Sequence, residues 1–232
     1  MSDQLKARIT TKGPKRILAL DGGGIHGMIT IEILVEIENQ LWQQLKKGAQ
    51  FRLAHFFDFV AGSGTGAIIA ACVSSVLAMS EIRVFYESRG IEMFDKGFRL
   101  NVFRRRRTKY EDETLDNTLQ IVFGKDTTLG SDNLQTVLMM VMRNPTTDSP
   151  WPVSNNPFAK YNQRDRKDCN LNIPLWQLVR ASTVAPVFFP PEVVTFAPGT
   201  PDEYQFIFVD GGITHIQQSR LPSRSHGNSR AL

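Results

Sequence analysis

A glycine turn between an apolar strand and a helix of small residues constrains this chain more than any other segment. Residues 56–71 read FFDFVAGSGTGAIIAA, with Gly62, Gly64 and Gly66 at alternate positions of the turn. The spacing is that of a nucleophile elbow, in which G-x-S-x-G lifts a serine onto a sharp strand-to-helix turn. Gly64 stands at the central position, so the frame is present without the hydroxyl.

Two further apolar strands end in glycines. Residues 16–28 read RILALDGGGIHGM, and residues 206–212 read FIFVDGG. Gly22, Gly23 and Gly24 follow a predicted strand and precede a predicted helix, so their backbone N–H groups can point at a developing negative charge. Asp210 ends the last strand, where a carboxylate can face a site at the edge of the sheet.

The first of these segments also fits a different class of protein. Gly22, Gly24 and Gly27 satisfy the G-x-G-x-x-G pattern of dinucleotide-binding loops, but the second strand does not end in the acid that such a site requires. No Gly-Lys-Ser/Thr follows, which argues against a P-loop. Asp210 taken alone also fits a turn residue before two glycines. The ordered combination of motifs favours a catalytic site over these alternatives.

In order, spacing and local context these segments, together with RASTVAPVFFPP at 180–191, resemble the patatin-like phospholipases. That family carries an Asp-Gly-Gly-Gly-x-Arg-Gly oxyanion loop, a Gly-x-Ser-x-Gly elbow and a closing Asp-Gly-Gly or Asp-Gly-Ala. The resemblance covers residues 15–213. It implies an α/β three-layer sandwich, in which a mostly parallel sheet has helices on both faces.

The resemblance also implies a chemistry. Members hydrolyse fatty acyl esters of phospholipids or neutral lipids through an acyl-serine, with a Ser–Asp dyad and neither a metal ion nor a cofactor. Carried onto this chain, the site consists of the oxyanion loop Gly22, Gly23, Gly24 and His26, the elbow glycines Gly62 and Gly66, the nucleophile position Gly64 and the dyad aspartate Asp210. The expected partner is a lipid or acyl ester, with peripheral contact to a membrane and no nucleic acid.

Two positions depart from the family pattern. Gly64 replaces the serine, and loss of a nucleophile costs several orders of magnitude in rate. Ser63 and Thr65 stand outside the G-x-S-x-G frame, so neither is expected to substitute. His26 replaces an arginine, which exchanges five donors on a permanent charge for an imidazole; an ordinary surface histidine is the alternative. The sequence predicts an inactive lipid acyl hydrolase relative or, alternatively, a non-catalytic lipid- or partner-binding module.

Hydrophobic patterns elsewhere predict strands alternating with helices. Strands are expected at 15–20, 56–61, 134–142 and 206–209, and helices at 28–45, 65–77, 80–88 and 174–181. In the helix at 28–45, the apolar positions include Ile29 and Ile33, which are expected to pack on the sheet. Residues 145–168 are rich in Pro, Asn, Ser and charge and are expected to form one long surface loop, and 195–203 a hairpin or loop.

The net charge of +4 does not indicate nucleic-acid binding, because residues 213–232 supply three of the four charges. Arg104–Arg107 form a basic run that fits either a solvated loop or attraction to anionic lipid headgroups. Cys72 and Cys169 indicate neither a disulfide framework nor a metal site. The first fifteen residues are polar and predict no signal peptide, so the expected location is cytoplasmic, with peripheral contact at membranes.

These observations divide the chain into three segments. An N-terminal extension at 1–14 precedes the patatin-like domain at 15–213, which is expected to be incomplete at its C-terminal end, and an atypical, disordered tail follows at 214–232. Back-translation allows a reading-frame shift after Ile213, and an ordinary disordered basic tail is the alternative. The glycine at position 64 likewise has two explanations: a natural site that has decayed, or an engineered or misread codon.

Overall fold

The computed structural model describes residues 3–46, 48, 50–94, 108–185 and 189–213. Arg104–Arg107 and the tail at 214–232 lie outside the described residues, and the division of the chain into three segments stays a prediction. In chain order the elements are α1 (Asp3–Thr10), β1 (Ile17–Leu20), α2 (Gly27–Leu45), β2 (Phe59–Ser63), α3 (Thr65–Ser74), α4 (Met79–Phe94), α5 (Thr108–Phe123), β3 (Val137–Asn144), β4 (Ser149–Ser154), α6 (Leu175–Thr183), β5 (Glu192–Phe196) and β6 (Tyr204–Asp210).

A mixed sheet forms the centre of the molecule. β1, β2 and β3 run parallel, and β2 ends with Ser63 beside Val141. β6 runs antiparallel to the end of β3, where Asp210 pairs with Met142, and β5 pairs with β6. Two glycine motifs begin at the carboxyl-terminal ends of β1 and β2. These ends therefore lie at the same end of the sheet as Asp210. The predicted α/β fold, with parallel strands and helices packed around the sheet, is confirmed.

Helix α3 is the buried centre of the domain. All ten of its residues, from Thr65 to Ser74, are buried, and the helix packs against β1, β2, β3 and α6. Its sequence, TGAIIAACVS, consists of small and apolar residues apart from Thr65 and Ser74 at its two ends, and it offers no polar face to solvent. Since α3 begins directly after the glycine turn, its burial fixes that turn against the sheet.

Helix α2 is amphipathic, but its buried face differs from the expected one. Ile31 and Leu34 are buried, whereas Ile29 is 62% exposed and Ile33 56% exposed. The expectation that Ile29 and Ile33 pack on the sheet is therefore wrong. Because an α-helix turns about 100° per residue, Ile31 and Leu34 point away from Ile29, and packing that buries the first pair exposes the isoleucines.

The expectation of one long surface loop at 145–168 is also wrong. Residues Ser149–Ser154 form β4, which pairs antiparallel with β3. Pro150 and Pro152 weaken a strand prediction because proline donates no hydrogen bond to a ladder. They are tolerated because they alternate with residues that can donate to β3, and because β4 pairs with no other strand in the described part of the chain.

Helix α1 is not predicted by the sequence patterns, since it lies within the polar first fifteen residues. Its Leu5 is nevertheless buried. The guanidinium of Arg8 donates to the carbonyls of Ala54, Phe57 and Gln135 at 2.8–2.9 Å. These carbonyls precede β2 and β3, so α1 ties down the end of the sheet opposite the glycine motifs.

Candidate active site

The turn between β2 and α3 has the backbone geometry of an elbow. Ser63 ends β2 and Thr65 begins α3. Gly64, between them, has φ 54° and ψ −134°. This combination lies outside the regions that side-chain-bearing residues ordinarily occupy, whereas glycine adopts it at little cost. A serine at this position would be held under strain, as residues at active sites often are.

The outer glycines of the elbow are required by close backbone contacts. A Cβ on Gly62 would lie 2.4 Å from the carbonyl oxygen of Gly66, and a Cβ on Gly66 would lie 2.3 Å from that of Leu20. Both distances are far inside van der Waals contact. Gly62 and Gly66 therefore allow β1, β2 and α3 to approach closely enough for the turn to form.

The central position is bounded by the other two glycine motifs. A Cβ on Gly64 would lie 2.9 Å from Oδ1 of Asp210 and 3.3 Å from Cα of Gly22. The structure thus brings together Gly22, Gly64 and Asp210, which are far apart in the sequence and were all predicted for the site. An oxygen bonded to that Cβ could reach the Asp210 carboxylate.

Asp210 is half-buried at the end of β6. Its N–H donates to the carbonyl of Val184 at 3.0 Å, and its Oδ1 accepts the N–H of Gly212 at 2.7 Å. Burial raises the pKa of the Asp210 carboxyl above its usual value, although the hydrogen bond from Gly212 partly offsets this. A raised pKa makes the carboxylate a stronger base, which suits it to take a proton from a hydroxyl.

The glycine loop after β1 lies against the elbow. The N–H groups of Gly23 and Gly24 both donate to Oγ1 of Thr65, at 3.0 and 3.1 Å. Gly24 has φ 60°, a conformation that favours glycine. A Cβ on Gly22 would lie 3.1 Å from the carbonyl oxygen of Ser63, so this residue too must be small. The loop holds two N–H donors beside the elbow, and the Thr65 hydroxyl accepts both.

His26 is exposed at the start of α2. Its ring Nδ1 lies 3.0 Å from the carbonyl oxygen of Gly23. Because a carbonyl only accepts, Nδ1 carries the proton in this contact. The described hydrogen bond of the His26 ring is therefore to the glycine loop itself, where it stabilises the short 3₁₀ turn Gly24–His26.

The RASTVAPVFFPP block, to which the sequence assigns no chemical role, connects two parts of the site. The buried hydroxyl of Ser182 accepts the N–H of Gly64 at 3.2 Å and donates to the carbonyl of Val141 at 2.6 Å. Two residues later, the carbonyl of Val184 accepts the N–H of Asp210. One segment therefore positions both the elbow and the aspartate, and no sequence signal distinguishes this serine from any other.

Two other hydroxyls, those of Tyr86 and Ser63, lie beside the elbow. Tyr86 donates to the carbonyl of Thr65 at 3.2 Å, and burial raises its pKa well above the usual value. The Ser63 hydroxyl is buried and has no hydrogen-bond partner among the residues that the structure describes. Tyr86 thus anchors the first turn of α3, and Ser63 lacks the activating partner that a nucleophile requires.

Cysteine and metal chemistry are not indicated at this site. Cys72 and Cys169 are free and buried, and burial raises the pKa of the Cys72 thiol to about 12. Over the described ranges, no group of three His, Cys, Asp or Glu side chains is placed to hold a metal ion. Cys72 therefore behaves as a small apolar side chain of the core.

A family model for patatin-like phospholipases matches residues 18–215, which span the glycine loop, the elbow and Asp210. The chain belongs to the patatin-like phospholipase family. Patatin-17 of Solanum cardiophyllum is 28% identical over 216 residues, which cover 90% of this chain and 52% of the relative. "Probable inactive patatin-3-Kuras 1" of Solanum tuberosum is 28% identical over 213 residues, which cover 88% and 53%. The chain spans about half the length of these patatin relatives.

A solved structure shares the fold of this patatin-like chain. VipD from Legionella pneumophila superposes with a TM-score of 0.51 at 16% identity, over 88% of this chain and 47% of VipD. At that identity the likeness shows the fold alone. The family resemblance predicted from the three ordered motifs is confirmed by the family match.

Proposed function

We propose that this chain carries the lipid acyl hydrolase site of the patatin-like phospholipases without its nucleophile, and that it does not hydrolyse acyl esters. One observation supports this most strongly: Gly64 occupies the strained turn position between Gly22 and Asp210. Formation of an acyl-enzyme requires an attacking side-chain atom at that point, and glycine supplies none. Asp210 is then a base without a hydroxyl to deprotonate.

In the proposed site the glycine loop stabilises the oxyanion. Each backbone N–H fixed beside a developing oxyanion lowers the barrier by about 2.7–4 kcal/mol. The N–H groups of Gly23 and Gly24 now donate to Thr65, so a substrate oxygen must share these donors or displace the Thr65 hydroxyl. We assign His26 to holding the loop through its hydrogen bond to Gly23.

We propose a lipid or acyl ester as the ligand, bound from the cytoplasmic side at the surface of a membrane, and no nucleic acid. The family supports a lipid ligand. In the part of the chain that is described, no helix combines the length and hydrophobicity needed to span a bilayer. The two free, buried cysteines are compatible with a reducing compartment.

Restoring the hydroxyl tests the proposed site. Wild type, Gly64→Ser and Gly64→Ala are compared on p-nitrophenyl butyrate; the alanine variant is the matched control, since it adds the same Cβ and the same strain without an oxygen. We expect wild type and Gly64→Ala at the rate of buffer, and Gly64→Ser about 1,000-fold or more above them. The gain should disappear in the double variant Gly64→Ser/Asp210→Ala.

Restoration is expected to be incomplete, because a Cβ at position 64 lies within 2.9 Å of Asp210 Oδ1 and the carboxylate must shift. Wild-type hydrolysis that disappears on Asp210→Ala would refute the proposal by revealing another nucleophile. A folded Gly64→Ser variant without activity would favour the second candidate, a non-catalytic lipid-binding module. The observation behind that candidate is the row of exposed isoleucines that begins at the glycine loop.

A further inference from the structure

We propose that Ile25, Ile29 and Ile33 form a lipid-facing surface, here named the isoleucine stripe, that seats the candidate active site on a membrane. The proposal rests on the proposed function, because it assumes a lipid ligand at that site. The three side chains are 41%, 62% and 56% exposed, respectively. Ile29 and Ile33 are four residues apart and line one side of the start of α2, and Ile25 lies four residues earlier, in the turn Gly24–His26.

The stripe begins at the candidate site. Ile25 belongs to the turn Gly24–His26, which directly continues the glycine loop, and its Cδ1 lies 3.5 Å from where a Cβ on Gly90 of α4 would be. Ile33 lies about 6 Å further along α2 than Ile29, at a rise of about 1.5 Å per residue. A lipid surface that touches the stripe therefore lies beside the N–H groups of the loop, and an acyl ester needs only a short displacement to reach them.

Packing within the protein accounts in part for Ile25, which lies against α4, but not for Ile29 and Ile33. Ile31 and Leu34 supply the core-facing side of α2, and Ile29 and Ile33 lie on its opposite side. The flanking charges are engaged on the protein surface: Glu32 lies 3.7 Å from Arg83, and Glu36 accepts a hydrogen bond from Gln40 at 2.9 Å. Exposed apolar side chains of this kind can insert into a membrane interface. The flanking Glu32 and Glu36 do not attract anionic lipid, so binding would rely on the apolar contact alone.

A lipid surface fits the stripe better than a protein partner does. Protein interfaces are enriched in aromatic residues and arginine, and their binding energy is concentrated in such anchors. The stripe consists of aliphatic side chains alone, which can insert among acyl chains without matching a fixed shape. The stripe is also continuous with the glycine loop, where we place the acyl ester. A membrane bound to the stripe would therefore bring the ester to the site.

Vesicle flotation tests the stripe. Vesicles of phosphatidylcholine alone are used, so that any electrostatic attraction of Arg104–Arg107 to anionic lipid makes no contribution. The double variant Ile29→Ser/Ile33→Ser should partition onto these vesicles at least about tenfold more weakly than wild type, since two exposed isoleucines are replaced by polar side chains.

The matched control is Ile121→Ser. Ile121 lies on α5 and is 80% exposed, more than any isoleucine of the stripe. Its neighbours Val122 and Phe123 line a cavity with Ser75, at the end of α3 opposite the elbow. If exposure alone caused binding, Ile121→Ser would lose at least as much as a stripe variant. We expect its partitioning to stay within about twofold of wild type.

Insertion of the stripe into the membrane is measured separately, with a fluorescent label. Because Cys72 and Cys169 are both buried, a maleimide dye added to the native protein labels a cysteine introduced at Ile29→Cys or Ile121→Cys selectively. A quencher carried on the lipid chains should reduce the emission of the dye at position 29 and leave that at position 121 unchanged. Equal quenching at the two positions would overturn the proposal.

Further outcomes distinguish a lipid from a second protein molecule at the stripe, and the lipid-facing surface from the proposed hydrolase site. Equal flotation of wild type and the double variant would overturn the lipid-facing surface, as would a wild-type dimer that Ile29→Ser/Ile33→Ser dissociates in light scattering. Flotation needs no turnover: stripe-dependent binding together with an inactive, folded Gly64→Ser variant supports the surface and rejects the hydrolase site. Hydrolysis of a soluble ester by Gly64→Ser without stripe-dependent flotation rejects the surface alone.

Discussion

Gly62 and Gly66 differ from Gly64 in the atoms that an added Cβ would contact. At the outer positions a Cβ would meet backbone carbonyl oxygens at 2.4 and 2.3 Å, whereas at Gly64 the nearest atom is the end of the Asp210 side chain, at 2.9 Å. The outer glycines are required for the strand and helix to meet. At the central position the nearest obstacle can rotate, so a side chain is opposed chiefly by the strained backbone conformation of Gly64.

The glycines that allow the elbow to fold are therefore not at the position where the reaction would take place. The close backbone approaches that require glycine are at Gly62 and Gly66. Gly64 is held in the turn by hydrogen bonds of its backbone, whose N–H donates to Ser182 and whose carbonyl accepts the N–H of Ala67, and these do not depend on its side chain. A member of the family can therefore lose its nucleophile without repacking the core. A well-formed patatin-like fold and an absent serine are compatible in one chain.

Alanine at each position gives the largest expected effect on stability. Gly66→Ala should lower the free energy of unfolding by about 3 kcal/mol or more, because the backbone of β1 or α3 must move. Gly64→Ala should lower it by about 1–3 kcal/mol, the cost of a side chain in a strained conformation. Urea unfolding followed by circular dichroism measures both, and equal losses would contradict the distinction between outer and central glycines.

A loss of stability smaller than that of Gly66→Ala is expected when the Ser182 hydroxyl, which accepts the N–H of Gly64, is removed. Ser182→Ala leaves the buried N–H of Gly64 without its partner, which should cost about 1–3 kcal/mol. Ser74→Ala is the matched control, since the buried Ser74 hydroxyl contacts Thr136 at 2.7 Å at the other end of α3.

Hydrogen exchange distinguishes these two serines where stability does not. Exchange of the Gly64 amide should accelerate in Ser182→Ala beyond what the loss of global stability explains, because its direct acceptor is gone. In Ser74→Ala the same amide should follow global stability only. Matching exchange rates in the two variants would show that Ser182 is an ordinary core residue and not a support of the elbow.

The smallest expected effect on stability is that of the Asp210 carboxyl, which faces Gly64. The raised pKa of Asp210 means that the folded state binds this proton more tightly than the unfolded chain does. Its contribution to stability is therefore greatest below the unfolded-state pKa and falls as the pH rises through the folded-state value.

Asp210→Asn removes this dependence. The variant should have a slightly higher Tm than wild type at neutral pH, and the difference should disappear below about pH 4, where both side chains are neutral. Thermal unfolding at several pH values measures it. A variant less stable than wild type at neutral pH would mean that the hydrogen bond from Gly212 outweighs desolvation.

The motifs at the edge of the sheet could be predicted because each is local in sequence. The G-x-G-x-G spacing of residues 62–66 reflects contacts within one turn, and Asp210 is recognisable from the strand before it and the glycines after it. Parallel pairing of β1 and β2 then brings two of these motifs together without further information. Such features are fixed by a few adjacent residues.

Other features depend on contacts that the sequence does not reveal. Ser182 meets Gly64 across 118 positions, and nothing in its own segment indicates that partner. Apolar residues occur on two sides of α2, so the sequence pattern does not tell which side is buried, and the structure buries Ile31 and Leu34 and exposes Ile29 and Ile33. The sequence does not predict helix α1, because its anchoring relies on Leu5 and Arg8, single residues in a polar segment.

The two prolines of β4 have a consequence for association between molecules. In an antiparallel ladder, alternate residues direct both backbone groups away from the partner strand. Pro150 and Pro152 alternate with Trp151, so their nitrogens point outward from β3. That outer edge offers carbonyls but lacks two N–H groups, and a second strand cannot complete a ladder along it. β4 thus protects the sheet against edge-to-edge aggregation while pairing normally on its inner side.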